Sequence, residues 1–97
     1  MSQITTHVLD AASGDPAAGV LVRLEQGDEI ARGRTDEDGR IRELGPPTLA
    51  HGNYRLVFDV ATPLFPEVVI AFTVADDRHY HVPLLLGRYS YTTYRGS

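Results

Sequence analysis

Tyr54-Arg55-Leu56-Val57-Phe58-Asp59-Val60 is the stretch that decides the fold. Tyr54, Leu56, Phe58 and Val60 fall on one side of an extended chain, with Arg55, Val57 and Asp59 on the other. That period of two marks a half-buried β-strand, because successive side chains of a strand point to opposite faces. The pattern returns after Thr62-Pro63-Leu64-Phe65-Pro66, where Val68, Ile70, Phe72 and Val74 share a face. Beyond the Asp76-Asp77 turn, Tyr80, Val82, Leu84 and Leu86 do the same. Upstream, Ile4, Thr6 and Val8 make one such row, and Val20, Val22 and Leu24 another. A weaker polar strand from about Glu29 to Thr35, a short one from Arg40 to Leu44 and a last one from Tyr89 to about Tyr94 complete the set. Ser13-Gly14-Asp15-Pro16, Gly27-Asp28 and Asp36-Glu37-Asp38-Gly39 supply turns between them, and Gly45-Pro46-Pro47 and His51-Gly52-Asn53 bracket a loop. No segment carries an apolar stripe of helical period. Eight short strands at regular spacing predict one all-β domain over residues 1–97, a sandwich or small barrel.

Composition narrows the functions open to such a domain. A chain of 97 residues builds one core, with little stability to spare, so oligomerisation is expected. Its net charge of −4, with no Lys/Arg block, argues against nucleic acid or an anionic membrane as partner. With no cysteine, disulfide frameworks, cysteine–zinc sites and thiol nucleophiles are all excluded. Met1 to His7 lacks the basic and apolar regions of a secretory signal, and no apolar run approaches the ~20 residues of a membrane span. The expected location is the cytoplasm.

Strand alternation separates two histidines from the rest. Ile4 and Val8 face the core, so His7 points the other way. In the seventh strand the long apolar row leaves His79, His81, Pro83 and Leu85 on the opposite face. A face that mixes His, Pro and Leu is half-apolar, as befits a surface covered by another subunit. His7 and His81 share one outer face if their strands are neighbours. His51, in its Gly-flanked loop, and His79, beside the Asp76-Asp77 turn, read as solvent-exposed or structurally hydrogen-bonded side chains. His79 and His81 form a conceivable metal-ligand pair, but no third ligand stands at a set spacing, and no metal is expected. At the other end, Tyr94-Arg95-Gly96-Ser97 offers an aromatic face, a planar donor fork and a hydroxyl beside the terminal carboxylate. Such a tail is either frayed or a recognition tip.

These residues together resemble the 5-hydroxyisourate hydrolases, the transthyretin-like enzymes of purine catabolism. The resemblance runs through Ile4-Thr5-Thr6-His7-Val8-Leu9-Asp10, Ser13-Gly14, Pro16-Ala17, Thr35-Asp36, Asp38-Gly39-Arg40 and Phe65-Pro66-Glu67-Val68. It ends on His79-Tyr80-His81-Val82-Pro83-Leu84-Leu85-Leu86 and the terminal Tyr94-Arg95-Gly96-Ser97, which is its most diagnostic part. In hormone-carrying transthyretins that ending and the two histidines are replaced.

The resemblance implies an eight-stranded sandwich of two four-stranded antiparallel sheets. It also implies a homotetramer, a dimer of dimers whose channel is faced by the first, fourth, seventh and eighth strands. It implies hydrolysis of 5-hydroxyisourate to 2-oxo-4-hydroxy-4-carboxy-5-ureidoimidazoline, by water attack on a ring carbonyl and C–N cleavage, without cofactor. His7 and His81 are then the expected water-activating and proton-relaying pair, since imidazole exchanges protons near neutral pH. Arg40, always charged, is expected to bind the urate-like oxygens and stabilise the oxyanion. Ser97 is expected to orient an imidazole or the water, and Tyr94, Arg95 and Gly96 to contact the substrate and fix the tail.

Three features depart from the family pattern. The Asp59–Phe65 connection is short where a longer loop with a helix is usual, Gly87-Arg88 replaces Ser-Pro, and Leu64-Phe65 replaces two aromatics. A non-catalytic carrier of a small ligand in the same fold is the alternative reading. It is disfavoured because an apolar ligand gains nothing from imidazole and guanidinium. A purely structural sandwich of the adhesin or immunoglobulin kind predicts a secretory signal or cysteines.

Overall fold

The computed structural model describes residues 1–96. Among them nine strands form: β1 (Ile4–Asp10), β2 (Leu21–Gln26), β3 (Asp28–Arg34), β4 (Arg40–Leu44), β5 (Gly52–Asp59), β6 (Val68–Val74), β7 (Tyr80–His81), β8 (Leu84–Leu86) and β9 (Tyr91–Thr93). One sheet has the order β4-β1-β8-β9, with β7 also paired to β1, and the other has the order β3-β2-β5-β6. The expected all-β sandwich is what the chain adopts, and its first, fourth, seventh and last strands do share a sheet.

Two details differ from the expectation. The seventh strand is broken at Pro83 into β7 and β8, because proline has no N–H to contribute to a ladder. The register survives the break, with Thr5 opposite His81 before it and Val8 opposite Leu84 after it. In addition, β1 runs parallel to β7 and β8, whereas every other neighbouring pair is antiparallel. A parallel pair needs a long crossover. Here the chain builds the whole second sheet between β1 and β7.

The core lies between the sheets. Ile4, Val8 and Leu84 from the first meet Val22, Leu24, Leu56 and Phe58 from the second, all without exposed surface. At about 25 cal/mol per Å² of apolar surface removed from water, side chains of this size contribute roughly 1.5–3 kcal/mol each. Thr6 occupies a core position of β1 and is buried, and its hydroxyl donates to the Val82 carbonyl at 2.6 Å. That bond ties β1 to the backbone just ahead of Pro83, where the ladder is interrupted.

The β5–β6 connection is a tight turn. Thr62 N–H donates to the Phe65 carbonyl, and Phe65 N–H to Thr62 Oγ1, each at 2.8 Å. Among the described residues it contains no helix. The Phe65 ring packs edge-on against Tyr91 of β9 at 5.2 Å, so this short connection braces the end of the first sheet.

Candidate active site

The inward burial of Ile4, Thr6 and Val8 turns Thr5 and His7 to the outer face of the first sheet. Arg40 stands directly opposite His7 in the antiparallel β1–β4 pair. Directly opposed residues of such a pair share a face, with Cβ atoms about 5 Å apart. His81 stands opposite Thr5 across β7. Thr5, His7, Arg40 and His81 therefore gather on one outer face, although they come from three strands far apart in sequence. Ser97, the remaining expected catalytic residue, lies outside the described residues.

Local chemistry explains how each is delivered. Ahead of Arg40, the Asp36 carboxylate accepts from the backbone N–H of Asp38 at 2.9 Å and of Arg40 at 3.0 Å. Those bonds hold the Asp36 carboxyl below its usual pKa, the bond from Arg40 first among them. Gly39 completes the turn at φ +74°, and its carbonyl accepts from Val8 N–H at 2.7 Å. A side chain at Gly39 would run into the Val8 carbonyl oxygen. Arg42, two residues on, is tied to Asp36 at 2.8 Å, while among the described residues Arg40 takes part in no ion pair. Its guanidinium, a fixed planar donor fork, suits an external anion or oxyanion.

A cavity of about 480 Å³ opens on this face, and Thr5, Arg40, Glu43, His79 and His81 are among its lining residues. His79, expected to be an exposed or structurally hydrogen-bonded side chain with no part in the site, belongs to it. Thr5 Oγ1 lies 2.8 Å from His81 Nδ1 and 2.9 Å from His79 Nε2. The two imidazoles are nearly parallel, 6.5 Å between centroids with 23° between planes. The other exposed histidine behaves as expected: His51 pairs with Asp77 at 3.0 Å, apart from this cavity.

Supports reach this segment from beneath. The buried Gln3 side chain donates to the carbonyls of Asp76 and Arg78, at 3.0 and 2.9 Å, and accepts from Leu49 N–H at 2.7 Å. It so fixes the turn that leads into His79. The Tyr80 hydroxyl donates to Asp76 at 3.1 Å and accepts from Ala75 N–H at 2.9 Å.

The tail lies along the same segment. Gly96 N–H donates to the His81 carbonyl at 2.8 Å, and the Arg95 guanidinium donates to the His79 carbonyl at 3.2 Å. Arg95 also covers the Tyr80 ring at 4.1 Å from its centroid, a cation–π contact. Tyr94 and Arg95 line a different cavity, of about 400 Å³, together with Ile70, Phe72, Asp76 and Tyr80. Within one chain they hold the tail and do not face the His81 cavity.

The electrostatics favour a neutral base. Burial pushes the His81 pKa below its ordinary value, the Arg40 charge pushes it the same way, and so does any charge carried by His7 or His79. At neutral pH the ring is uncharged and able to accept a proton. Among the described residues, no three metal-ligating side chains come close enough to hold an ion, and His79 and His81 both turn toward Thr5.

Alternation could expose His7 and His81, but it could not show Thr5 and His79 as members of the site. Thr5 shares the face of His7 in the bare sequence, yet its partners are set by a register known only after folding.

Comparison with known proteins gives the family. Residues 4–96 match the HIUase/Transthyretin family. A 5-hydroxyisourate hydrolase of Caulobacter vibrioides is 47% identical over 115 aligned positions that cover all of both chains. Among solved structures, the 5-hydroxyisourate hydrolase of Klebsiella pneumoniae superimposes with a TM-score of 0.89 at 33% identity, covering 97% of this chain and 98% of that one. Sea bream transthyretin in complex with thyroxine superimposes with a TM-score of 0.88 at 31% identity, covering 97% and 94%. With a family match over residues 4–96 and a relative 47% identical along the full length of both chains, the chain belongs to the HIUase/Transthyretin family.

Proposed function

We infer that this chain hydrolyses 5-hydroxyisourate, opening its six-membered ring to give 2-oxo-4-hydroxy-4-carboxy-5-ureidoimidazoline. The observation that carries this is the grouping of His7, Arg40 and His81 on one outer face. Water adds to a ring carbonyl, the amide C–N bond breaks, and the leaving nitrogen takes a proton. His81, held uncharged, is suited to take the proton from the attacking water, with His7 as its partner in proton transfer. Arg40 supplies fixed positive charge for the developing oxyanion. Ser97 is assigned to orient the water or an imidazole. The remaining tail residues, Tyr94, Arg95 and Gly96, are assigned to hold the substrate's rim once a neighbouring subunit closes the site. No cofactor enters this scheme.

The working unit in this reading is a cytoplasmic homotetramer of single-domain chains, a dimer of dimers with the sites along the dimer–dimer channel. Two features support it. The sheets end on β6 and β9, and these edges flank one cavity, so a second copy can extend both sheets at once. The face that carries His81 is also partly apolar, with Pro83 buried and Leu85 half-buried beside it.

The test follows ultraviolet decay of freshly generated 5-hydroxyisourate, made from urate with urate oxidase, against the spontaneous rate. Acceleration by the wild-type chain, lost in His7→Ala, Arg40→Gln and His81→Ala variants of unchanged circular dichroism, supports the reading. Decay at the spontaneous rate with the wild type overturns it. The likeness to a thyroxine-bound transthyretin favours a carrier as second reading. Binding of an iodinated aromatic without hydrolysis would establish that one instead.

A further inference from the structure

We propose that Thr5 is a positioning residue that fixes the tautomer of His81 and joins it to His79, which serves as the outlet for the catalytic proton. This rests on the hydrolase reading above and adds to it a residue and a route. The geometry is a hydroxyl oxygen set between two ring nitrogens, 2.8 Å from His81 Nδ1 and 2.9 Å from His79 Nε2.

A threonine hydroxyl has one proton to donate. Between two imidazole nitrogens it must donate to one and accept from the N–H of the other. In the first arrangement His81 Nδ1–H donates to Thr5, and Thr5 O–H donates to His79 Nε2. His81 Nε2 is then bare, as a general base requires. The reverse arrangement puts a proton on His79 Nε2 and on His81 Nε2, which makes His81 a donor. Thr5 therefore couples the two rings: neither can change tautomer alone without breaking a bond.

The same chain moves a proton in balance. When His81 Nε2 takes a proton from water, its Nδ1 proton passes to Thr5 and the Thr5 proton passes to His79 Nε2. Hydroxide adds to the ring carbonyl as the new C–O bond forms. His81 ends neutral in its other tautomer, and His79 holds the positive charge on two N–H groups. Reversal of the chain returns the proton through His81 Nε2 to the leaving nitrogen as the C–N bond breaks. Nothing is consumed but the water.

Surroundings give this route its direction. His81 is half-buried, and its neighbours on β1 and β4, His7 and Arg40, oppose a charge on it, while Arg42, Glu43 and the Met1 end complete the cavity. His79 is exposed, where water can solvate the cation, and the Arg95 guanidinium next to it is directed at its carbonyl oxygen. Thr5 is also well held: its carbonyl accepts from Val82 N–H at 3.0 Å, so the hydroxyl has a fixed base.

The experiment combines imidazole 15N NMR, which reads each ring's tautomer directly, with kcat and KM for Thr5→Val, Thr5→Ser and His79→Gln. Valine keeps the β-branched shape of threonine and loses only the hydroxyl. We expect Thr5→Val to abolish the single His81 tautomer and lower kcat about tenfold or more with little change in KM, and Thr5→Ser to restore both. Glutamine at 79 can still hydrogen-bond Thr5 but cannot carry the proton. His79→Gln should thus keep the His81 tautomer and lower kcat. A wild-type tautomer and kcat in Thr5→Val, or no rescue by serine, overturns the role of Thr5. Undiminished kcat in His79→Gln overturns the outlet. If the wild type does not hydrolyse 5-hydroxyisourate the parent reading fails, yet the NMR arm still decides whether Thr5 couples the two rings.

Discussion

Gly96 lies so close against His81 that a Cβ built on it would stand 2.6 Å from the ring carbon Cδ2. The contact is made by backbone on one side and a packed ring on the other, while Gly96 N–H holds the His81 carbonyl at 2.8 Å. Tail and imidazole therefore position each other, and glycine is required here for space, not for an unusual backbone angle.

Gly96→Ala should push the His81 ring or the tail by a good fraction of an ångström. Misplacement on that scale lowers turnover by up to about 100-fold. The contact lies on the outer face of the sheet, away from the core side chains between the sheets, so the melting temperature should barely move. Steady-state kinetics beside a thermal melt checks this, and unaltered kinetics would mean that the tail's closeness to His81 has no bearing on the reaction.

The His81 pKa, lowered by burial and then by Arg40, His7 and His79, sets the pH response. In the unfolded chain the ring protonates at its ordinary value, and in the folded chain only at lower pH. Its contribution to stability is therefore complete above the ordinary value, declines as pH falls toward the folded pKa, and is gone below it. Activity that needs the neutral ring should persist to a pH below the ordinary histidine value. Arg40→Gln removes one of the lowering charges, so the His81 titration should move upward. Proton NMR of the ring measures that shift, and a downward or absent shift would contradict the placement of Arg40 beside it.

Gly39→Ala should destabilise the chain. The positive φ alone disfavours an L side chain by about 1–2 kcal/mol, and the new Cβ would also press on the Val8 carbonyl oxygen. Because Gly39 holds Arg40 opposite His7, activity should fall with stability. Urea denaturation measures the first and the substrate-decay assay the second.

Thr6→Val is a purely structural contrast to the change at Thr5 one residue earlier. It keeps the shape and removes a buried hydroxyl that donates to the Val82 carbonyl at 2.6 Å. The expected loss is about 1–3 kcal/mol, read from chemical denaturation. A neutral result would show that the carbonyl finds another donor at the Pro83 break.

Much of this molecule is legible in its sequence because burial enforces alternation. Tyr54, Leu56 and Phe58 must point inward together if the chain is extended, and the same rule turns His7 outward once Ile4 and Val8 are buried. The break of the seventh strand was implicit in Pro83, yet the long apolar row from Tyr80 to Leu86 masks it. The parallel direction of β1 and β7 leaves no mark on the alternation of either strand, since pleat and period are the same in both senses.

The sequence by itself determined which side chains are hidden and which face outward, because strand geometry allows two sides and water decides between them. Only the tertiary structure decided which outward side chains meet. Register across β1, β4 and β7 depends on long-range packing and sets Thr5 opposite His81 and Arg40 opposite His7, while a backbone bond from Gly96 to His81 brings the tail against the imidazole.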